Sequence, residues 1–273
     1  MSINPDSLTI PEWVESLLQK GRIAFSIEEL RQKYPDYSDA ALKLILNRLF
    51  KKKKALSIHK GFYLIIAPQY ASRGILPPAV YLDSLMKYLE RPYYLGLLNA
   101  AAFYGAAHQQ PQEFFVFTSY PQLRAINKKG IKVNYISKKE IPSNLLEDRK
   151  TESGYLKIST PEFTATDLVQ FEKKIGGLNR TTTVLNELVE ECKLENINSE
   201  FLKAIPVAVI QRLGYLLDII LKKQEIASHL YNECIKANIK FQKNLLKASG
   251  KTKEFPMNEK WKILINTEIE FEE

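Results

Sequence analysis

Apolar residues recur at helical spacing from Ile10 to Lys20 and the run stops at Gly21, so the spacing predicts a first helix with one side turned toward a core. Ser26 stands three residues before Glu29. That pair forms a capping box, in which each side chain satisfies the other residue's open backbone amide, and Ile27, Leu30 and Tyr34 then line one face of a second helix. Pro35 and the Tyr37-Ser38-Asp39 sequence break it. Ser38 or Asp39 caps a third helix, whose Leu42, Ile45, Leu46 and Leu49 follow the i, i+3, i+4, i+7 pattern and must face inward. The period then changes. Ala55 to Ile58 and Phe62 to Ile66 alternate as strands around a turn at His59-Lys60-Gly61, ending at Pro68.

Helix, helix, helix, hairpin is the order of a winged helix-turn-helix, expected over residues 1–70. From about Arg73 the texture changes, and Pro77-Pro78 marks a linker to a second domain over 75–273. There the pattern predicts helices from Val80 to Glu90 and from Tyr93 to Ala107. Strands are predicted at FFVFTS (114–119), KVNYIS (132–137) and YLKIST (155–160). Helices follow at Pro161 to Lys173, Arg180 to Glu191, Val207 to Lys222 and Glu225 to Asn238. The fold class expected is α+β, a winged helix followed by a mixed α/β domain. Hydrophobic residues make up 45% of the 273, enough for a packed core.

Charge sharpens the reading of the first domain. The formal net charge is +8, which favours an anionic partner. Residues 1–70 hold 11 Lys or Arg against 7 Asp or Glu, so +4 falls on about a quarter of the chain. In a helix-turn-helix the second helix of the pair enters the major groove. With Leu42 inward, a turn of about 100° per residue puts Ala40, Leu44, Asn47 and Lys51 at the centre of the outward face, flanked by Lys43 and Arg48. Asn47 suits adenine, and Arg48 or Lys43 suits guanine or phosphate. Lys51, Lys52, Lys53 and Lys54 lie at the helix exit, and His59 with Lys60 at the hairpin tip, where contacts give affinity rather than sequence choice. The alternative is a lysine-rich helix end that only complements the dipole and stays solvated. Leu44 faces either a thymine methyl or the second domain.

Catalytic signatures are missing: there is no G-x-S-x-G elbow, phosphate-binding loop, H-E-x-x-H or paired-carboxylate nucleotidyltransferase motif. His59, His108 and His229 are scattered, and Cys192 and Cys234 match neither a disulfide framework nor metal-ligand spacing. No enzyme activity, cofactor or metal is expected. Gly176-Gly177 before Asn179, Arg180 and three threonines reads either as an anion cradle at a helix start or as an ordinary turn. The opening MSINPDS lacks the basic start and apolar stretch of a signal peptide. The oily stretches near 93–107 and 213–221 carry Asn99 and Asp218 and fall short of the roughly 20 residues of a membrane span. The expected place is the cytoplasm, with no membrane partner.

Four blocks in the second half carry a resemblance: PYYLGLLNAAAFYGAAHQQPQEFFVFTS (92–119), TPEFTATDLVQFEKKIGGLNRTTTVLNEL (160–188), IQRLGYLLD (210–218) and NEKWKILINTEIE (258–270). In this order they resemble the successive blocks of AbiEi antitoxins, from type IV toxin–antitoxin and phage abortive-infection systems. The resemblance implies a winged helix that represses its own operon on operator DNA. It also implies a carboxy-terminal domain that counteracts a cognate AbiEii-like nucleotidyltransferase toxin, with repression requiring both domains. Glu162, Thr164, Asp167, Gln211, Arg212 and Tyr215 are the polar members of those blocks. They serve either the antitoxin function or the packing of the helices that carry them. Two other functions stay open from the residues alone: a ligand-responsive repressor without a toxin, and an enzyme acting on nucleic acid or covalently on a toxin.

Overall fold

The computed structural model describes residues 8–107, 111, 113–249 and 254–270; His108 lies outside them. The chain's contacts group into two compact units, one from 1–93, 112–141 and 148–157, the other from 94–111, 142–147 and 158–273. No described helix is long and apolar enough to cross a membrane.

The first unit begins α1 (Ile10–Gln19), β1 (Ala24–Ser26), α2 (Ile27–Lys33), α3 (Asp39–Lys51), β2 (Ala55–His59) and β3 (Phe62–Ile65). This is the order the periodicity predicts, with β1 added. The capping box forms as expected: Glu29 N–H donates to Ser26 Oγ at 3.1 Å, and Ser26 N–H to Glu29 Oε2 at 2.8 Å. Ser38 caps α3 by accepting from Ala41 N–H at 3.3 Å. Leu42, Leu46 and Leu49 are buried and share one core with Val14, Leu17 and Leu30, while Ile45 packs at its edge. Each such leucine contributes roughly 1.5–3 kcal/mol on burial, which is why a helix with a charged outer face still docks. Trp13 sets its ring edge-on to Phe25, 5.4 Å away, and to Tyr34, 6.0 Å away.

β3 is the middle strand of a sheet ordered β1-β3-β2, and both neighbours run antiparallel to it. α4 (Pro78–Tyr88) follows in the same unit. So do β5 (Glu113–Ser119), β6 (Ile126–Lys128) and β7 (Ile131–Lys138). β5 and β7 pair in parallel from Glu113↔Lys132 to Ser119↔Lys138, and β6 returns antiparallel on β7.

The helix expected from Tyr93 to Ala107 is instead a strand and a shorter helix: Tyr93–Leu95 is extended, and Leu97–Phe103 is helical. Tyr93, Tyr94 and Leu95 are all buried, and a short apolar run reads alike in a buried strand and a buried helix. The break is local. Gly96 is extended, and Leu97 takes φ 56°, in the left-handed region, so helix cannot run through them.

The second unit is built around α6 (Pro161–Gln170), whose residues from Pro161 to Val169 are all buried. A helix buried on every side must satisfy its polar side chains internally. Leu95 pairs in parallel with Ile158, at the end of the strand Gly154–Ser159 that leads into α6. α6 packs against the Leu97–Phe103 helix and against α7 (Leu178–Leu188) and α9 (Val207–Tyr215). Several expected helices end earlier than the pattern suggests, among them Arg180 to Glu191, which is α-helical only to Leu188. Pro161 to Lys173 is α-helical only to Gln170, and Val207 to Lys222 passes at Leu216–Ile220 into one π-helical turn. The α8 helix (Ser199–Ala204) was not expected, nor were the two-residue strands at Asn244–Leu245, Met257–Asn258 and Ile263–Leu264. α10 (Gln224–Lys236) matches its prediction closely.

Candidate nucleic-acid interface

Leu42, Ile45, Leu46 and Leu49 fix the rotation of α3, and the opposite side faces outward. Ala40, Lys43, Leu44, Asn47, Arg48 and Lys51 are all exposed, Leu44 to 54%. The side chains of Lys43, Asn47, Arg48, Lys51, Lys52 and Lys53 have no hydrogen-bond or ion-pair partner among the described residues. Lys54 differs, because its ammonium pairs with Glu15 of α1. The basic run is thus three unpaired lysines and one that ties α1 to the end of α3. Lys53 adopts φ 54°, the left-handed conformation that follows many helices and is most often given to glycine. Arg31 holds Asp39 with two parallel hydrogen bonds of 3.0 and 3.1 Å, fastening α2 to the first turn of α3.

At the hairpin tip Lys60 is exposed and His59 half-exposed, with His59 Nδ1 3.2 Å from the Lys60 carbonyl. Tyr37 is 45% exposed immediately before the α3 cap, with its ring edge-on to that of Tyr34 at 5.9 Å.

The six polar residues of the second unit lie inside it. Glu162 Oε1 accepts from Lys193 N–H at 2.7 Å and Asn196 Nδ2 at 3.1 Å, whereas the buried Oε2 has no partner among the described residues; Glu162 lines a small cavity with Ala165, Phe201 and Leu213. Thr164 Oγ1 and Ser159 Oγ are 2.6 Å apart. Asp167 Oδ2 accepts from Tyr94 O–H at 2.8 Å, and burial, then the neighbouring carboxylate, push the Tyr94 hydroxyl far above its ordinary range. Gln211 Nε2 donates to the carbonyls of Gln242 and Trp261, both at 2.7 Å, and its Oε1 accepts from Asn244 at 2.8 Å. Arg212 Nε donates to Leu245 O at 2.9 Å; burial lowers its pKa against the opposing charge of Glu172. Tyr215 is buried, which raises its hydroxyl's pKa. These hydrogen bonds tie the helices to neighbouring strands and loops rather than joining the six residues to one another.

At Gly176-Gly177 both residues take positive φ, 106° and 93°, which explains the two glycines as a turn. A Cβ on Gly177 would lie 3.9 Å from Glu172 Oε2, so a carboxylate of the chain itself already stands at the start of α7. His229 Nε2 lies 3.1 Å from Ile197 O, and burial pushes the thiols of Cys192 and Cys234 up, the latter to about 12. No group of His, Cys, Asp and Glu among the described residues is arranged to hold a metal ion.

In fold, the chain is similar to the crystal structure of the RV2827C protein from Mycobacterium tuberculosis. The TM-score is 0.65 at 17% identity, covering 93% of this chain and 92% of that one. An antigenic nucleotidyltransferase-like protein from Paracoccidioides brasiliensis aligns at a TM-score of only 0.37 and 9% identity, over 56% of this chain and 89% of that one. No curated protein matches the sequence. The family model for the AbiEi antitoxin C-terminal domain matches residues 94–219, a span that holds α6, α7, α9 and the six polar residues Glu162, Thr164, Asp167, Gln211, Arg212 and Tyr215. Over those residues the chain is similar to the AbiEi antitoxin family.

Proposed function

We propose that this protein is the antitoxin of a type IV toxin–antitoxin system and represses its own operon by binding operator DNA through α3 and the β2–β3 hairpin. Residues 1–70 supply the DNA reader, and residues 75–273 counteract a nucleotidyltransferase toxin. The observation that supports the DNA reading best is the outward face of α3, where Lys43, Asn47, Arg48, Lys51, Lys52 and Lys53 are exposed and unpaired among the described residues. Cations held by no internal carboxylate are free to replace counterions along a phosphate backbone, and each phosphate neutralised contributes a slope of about −0.9 to log K against log salt. Asn47 and Arg48, side by side on that face, have the donors and acceptors that adenine and guanine edges present in the major groove.

A gel shift on the chain's own promoter DNA compares the wild type with a full-length variant carrying Lys43→Ala, Asn47→Ala, Arg48→Ala and Lys51→Ala. Loss of the shifted band is expected in the variant. Equal binding by the two proteins would refute the DNA reading. The antitoxin half is tested by co-expression with a cognate nucleotidyltransferase toxin. The variant with the altered α3 face still rescues growth, because the family match lies wholly outside α3.

A further inference from the structure

The hairpin of the DNA reader is short, and β2 lies at the edge of its sheet. A ribbon of this size holds no fixed position by itself. Two side chains from beyond residue 70, both in the same compact unit, grip its backbone. Tyr88, the last residue of α4, donates its hydroxyl to Lys60 O at 3.3 Å and sets its ring 5.2 Å from that of Phe62. Burial, then the nearby Glu28 carboxylate at the first turn of α2, raise the pKa of that hydroxyl and keep it protonated as the donor. A Cβ added to Gly61 would come within 2.5 Å of the Tyr88 oxygen, so the backbone reaches this close only because residue 61 is glycine. On the flank, Lys128 at the end of β6 donates its ammonium to Ser57 O at 2.6 Å, beside the irregularity between Ser57 and His59.

We propose that Tyr88 and Lys128 are positioning residues for DNA binding: they hold the β2–β3 hairpin where His59 and Lys60 meet the phosphate backbone, without touching DNA themselves. The inference rests on the reading of α3 and the hairpin as the DNA-binding surface. Its consequence is that the DNA reader does not end at residue 70. The tip is held at its carbonyl, and the charged side chain of Lys60 is left free to point at a phosphate. Lys128 spends its ammonium on a backbone carbonyl, which is the work of a brace and not of a phosphate contact.

The test uses the full chain with Tyr88→Phe, Lys128→Met and Lys128→Arg. Binding to the promoter duplex is read by fluorescence anisotropy over a series of salt concentrations. Tyr88→Phe keeps the ring and removes only the hydroxyl. It and Lys128→Met should each weaken binding about three- to tenfold, the worth of one hydrogen bond. The salt slope stays at its wild-type value, amide exchange speeds up at residues 58–62, and Lys128→Arg recovers most of the affinity. Unchanged affinity in both Tyr88→Phe and Lys128→Met overturns the proposal. So does a Lys128→Met slope shallower by about 0.9, because that is the mark of a lost phosphate contact. The α3 quadruple-alanine variant, run alongside, separates the two levels. If it binds like wild type, the DNA reading itself fails, whereas if it loses binding while Tyr88→Phe and Lys128→Met keep theirs, only the bracing role fails.

Discussion

Asp218 is a carboxylate with three jobs in one place. Its Oδ2 accepts from Trp261 Nε1 at 2.9 Å and from the Lys260 ammonium at 2.7 Å, and its own backbone carbonyl accepts from Gln224 at 3.0 Å. Burial raises its pKa, but the hydrogen bonds from Lys260 and Trp261 and the Lys260 charge outweigh burial, and the net direction is below 3.8. A carboxyl with a lowered folded-state pKa contributes stability that is fully present above its unfolded pKa of about 3.9 and lost as pH falls through the folded value. Urea unfolding at a series of pH values should therefore show wild type more stable than Asp218→Asn by a constant margin above about pH 5. That margin shrinks as the pH drops below about 4; a margin independent of pH down to 2 would contradict this account. Next to it, Gly214 is glycine for lack of room: a Cβ there would lie 2.1 Å from Trp261 Cζ3. Gly214→Ala is expected to cost at least the roughly 1–3 kcal/mol typical of overpacking, read as a lower melting temperature. From the sequence, Asp218 was visible only as an interruption of an oily stretch, and Gly214 gave no signal. Both owe their roles to a tryptophan more than 40 positions away, which no local pattern encodes.

α3 is the element in which periodicity carried most information, and the reason is physical. A helix with one buried and one solvated side repeats its burial every 3.6 residues, and Leu42, Leu46 and Leu49 report that repeat directly. α6 is the opposite case. Buried on every side, it shows no polar face, so sequence alone does not separate a functional from a packing role for Glu162, Thr164 and Asp167; inside the unit Thr164, Asp167 and Glu162 Oε1 find partners, whereas Glu162 Oε2 finds none among the described residues. The same loss of contrast made Tyr93–Leu95 read as helix. The end of α3 offers a way to separate folding from binding. Lys53 holds a left-handed φ of 54° that glycine adopts at no steric cost, so its lysine is a local strain at an exposed site. Lys53→Gly should raise stability by about 1 kcal/mol while making the DNA salt slope shallower by about 0.9. Thermal unfolding and salt-dependent anisotropy measure the two effects on one sample. A change of the same sign in both stability and affinity would mean that Lys53 serves packing and not phosphate.

Across the molecule, the family match stops at residue 219 but the packing does not. The groups at the end of the matched span take their partners from beyond it: Gln211 from Gln242, Asn244 and Trp261, Arg212 from Leu245, and Asp218 from Lys260 and Trp261. Trp261 itself is fully buried, packed between Tyr231 at 5.4 Å and Phe241 at 5.8 Å. Removing residues 241–273 leaves Gln211 and Asp218 as buried polar groups without partners, each costing about 1–3 kcal/mol or more for the charged one, and opens the face of α9 that Trp261 covers. A domain has only about 5–15 kcal/mol of stability in all, so a chain ending at residue 240 is expected to be degraded or insoluble and to fail in toxin rescue. The single change Trp261→Phe keeps most of the ring and removes the donor to Asp218, so it should leave a folded but less stable protein that still rescues at low temperature. Expression level, circular dichroism and growth on co-expression with the toxin are the measurements. If a chain ending at residue 240 folds and rescues as well as the full chain, then the segment from 241 onward is an accessory and the proposed antitoxin domain is complete by residue 240.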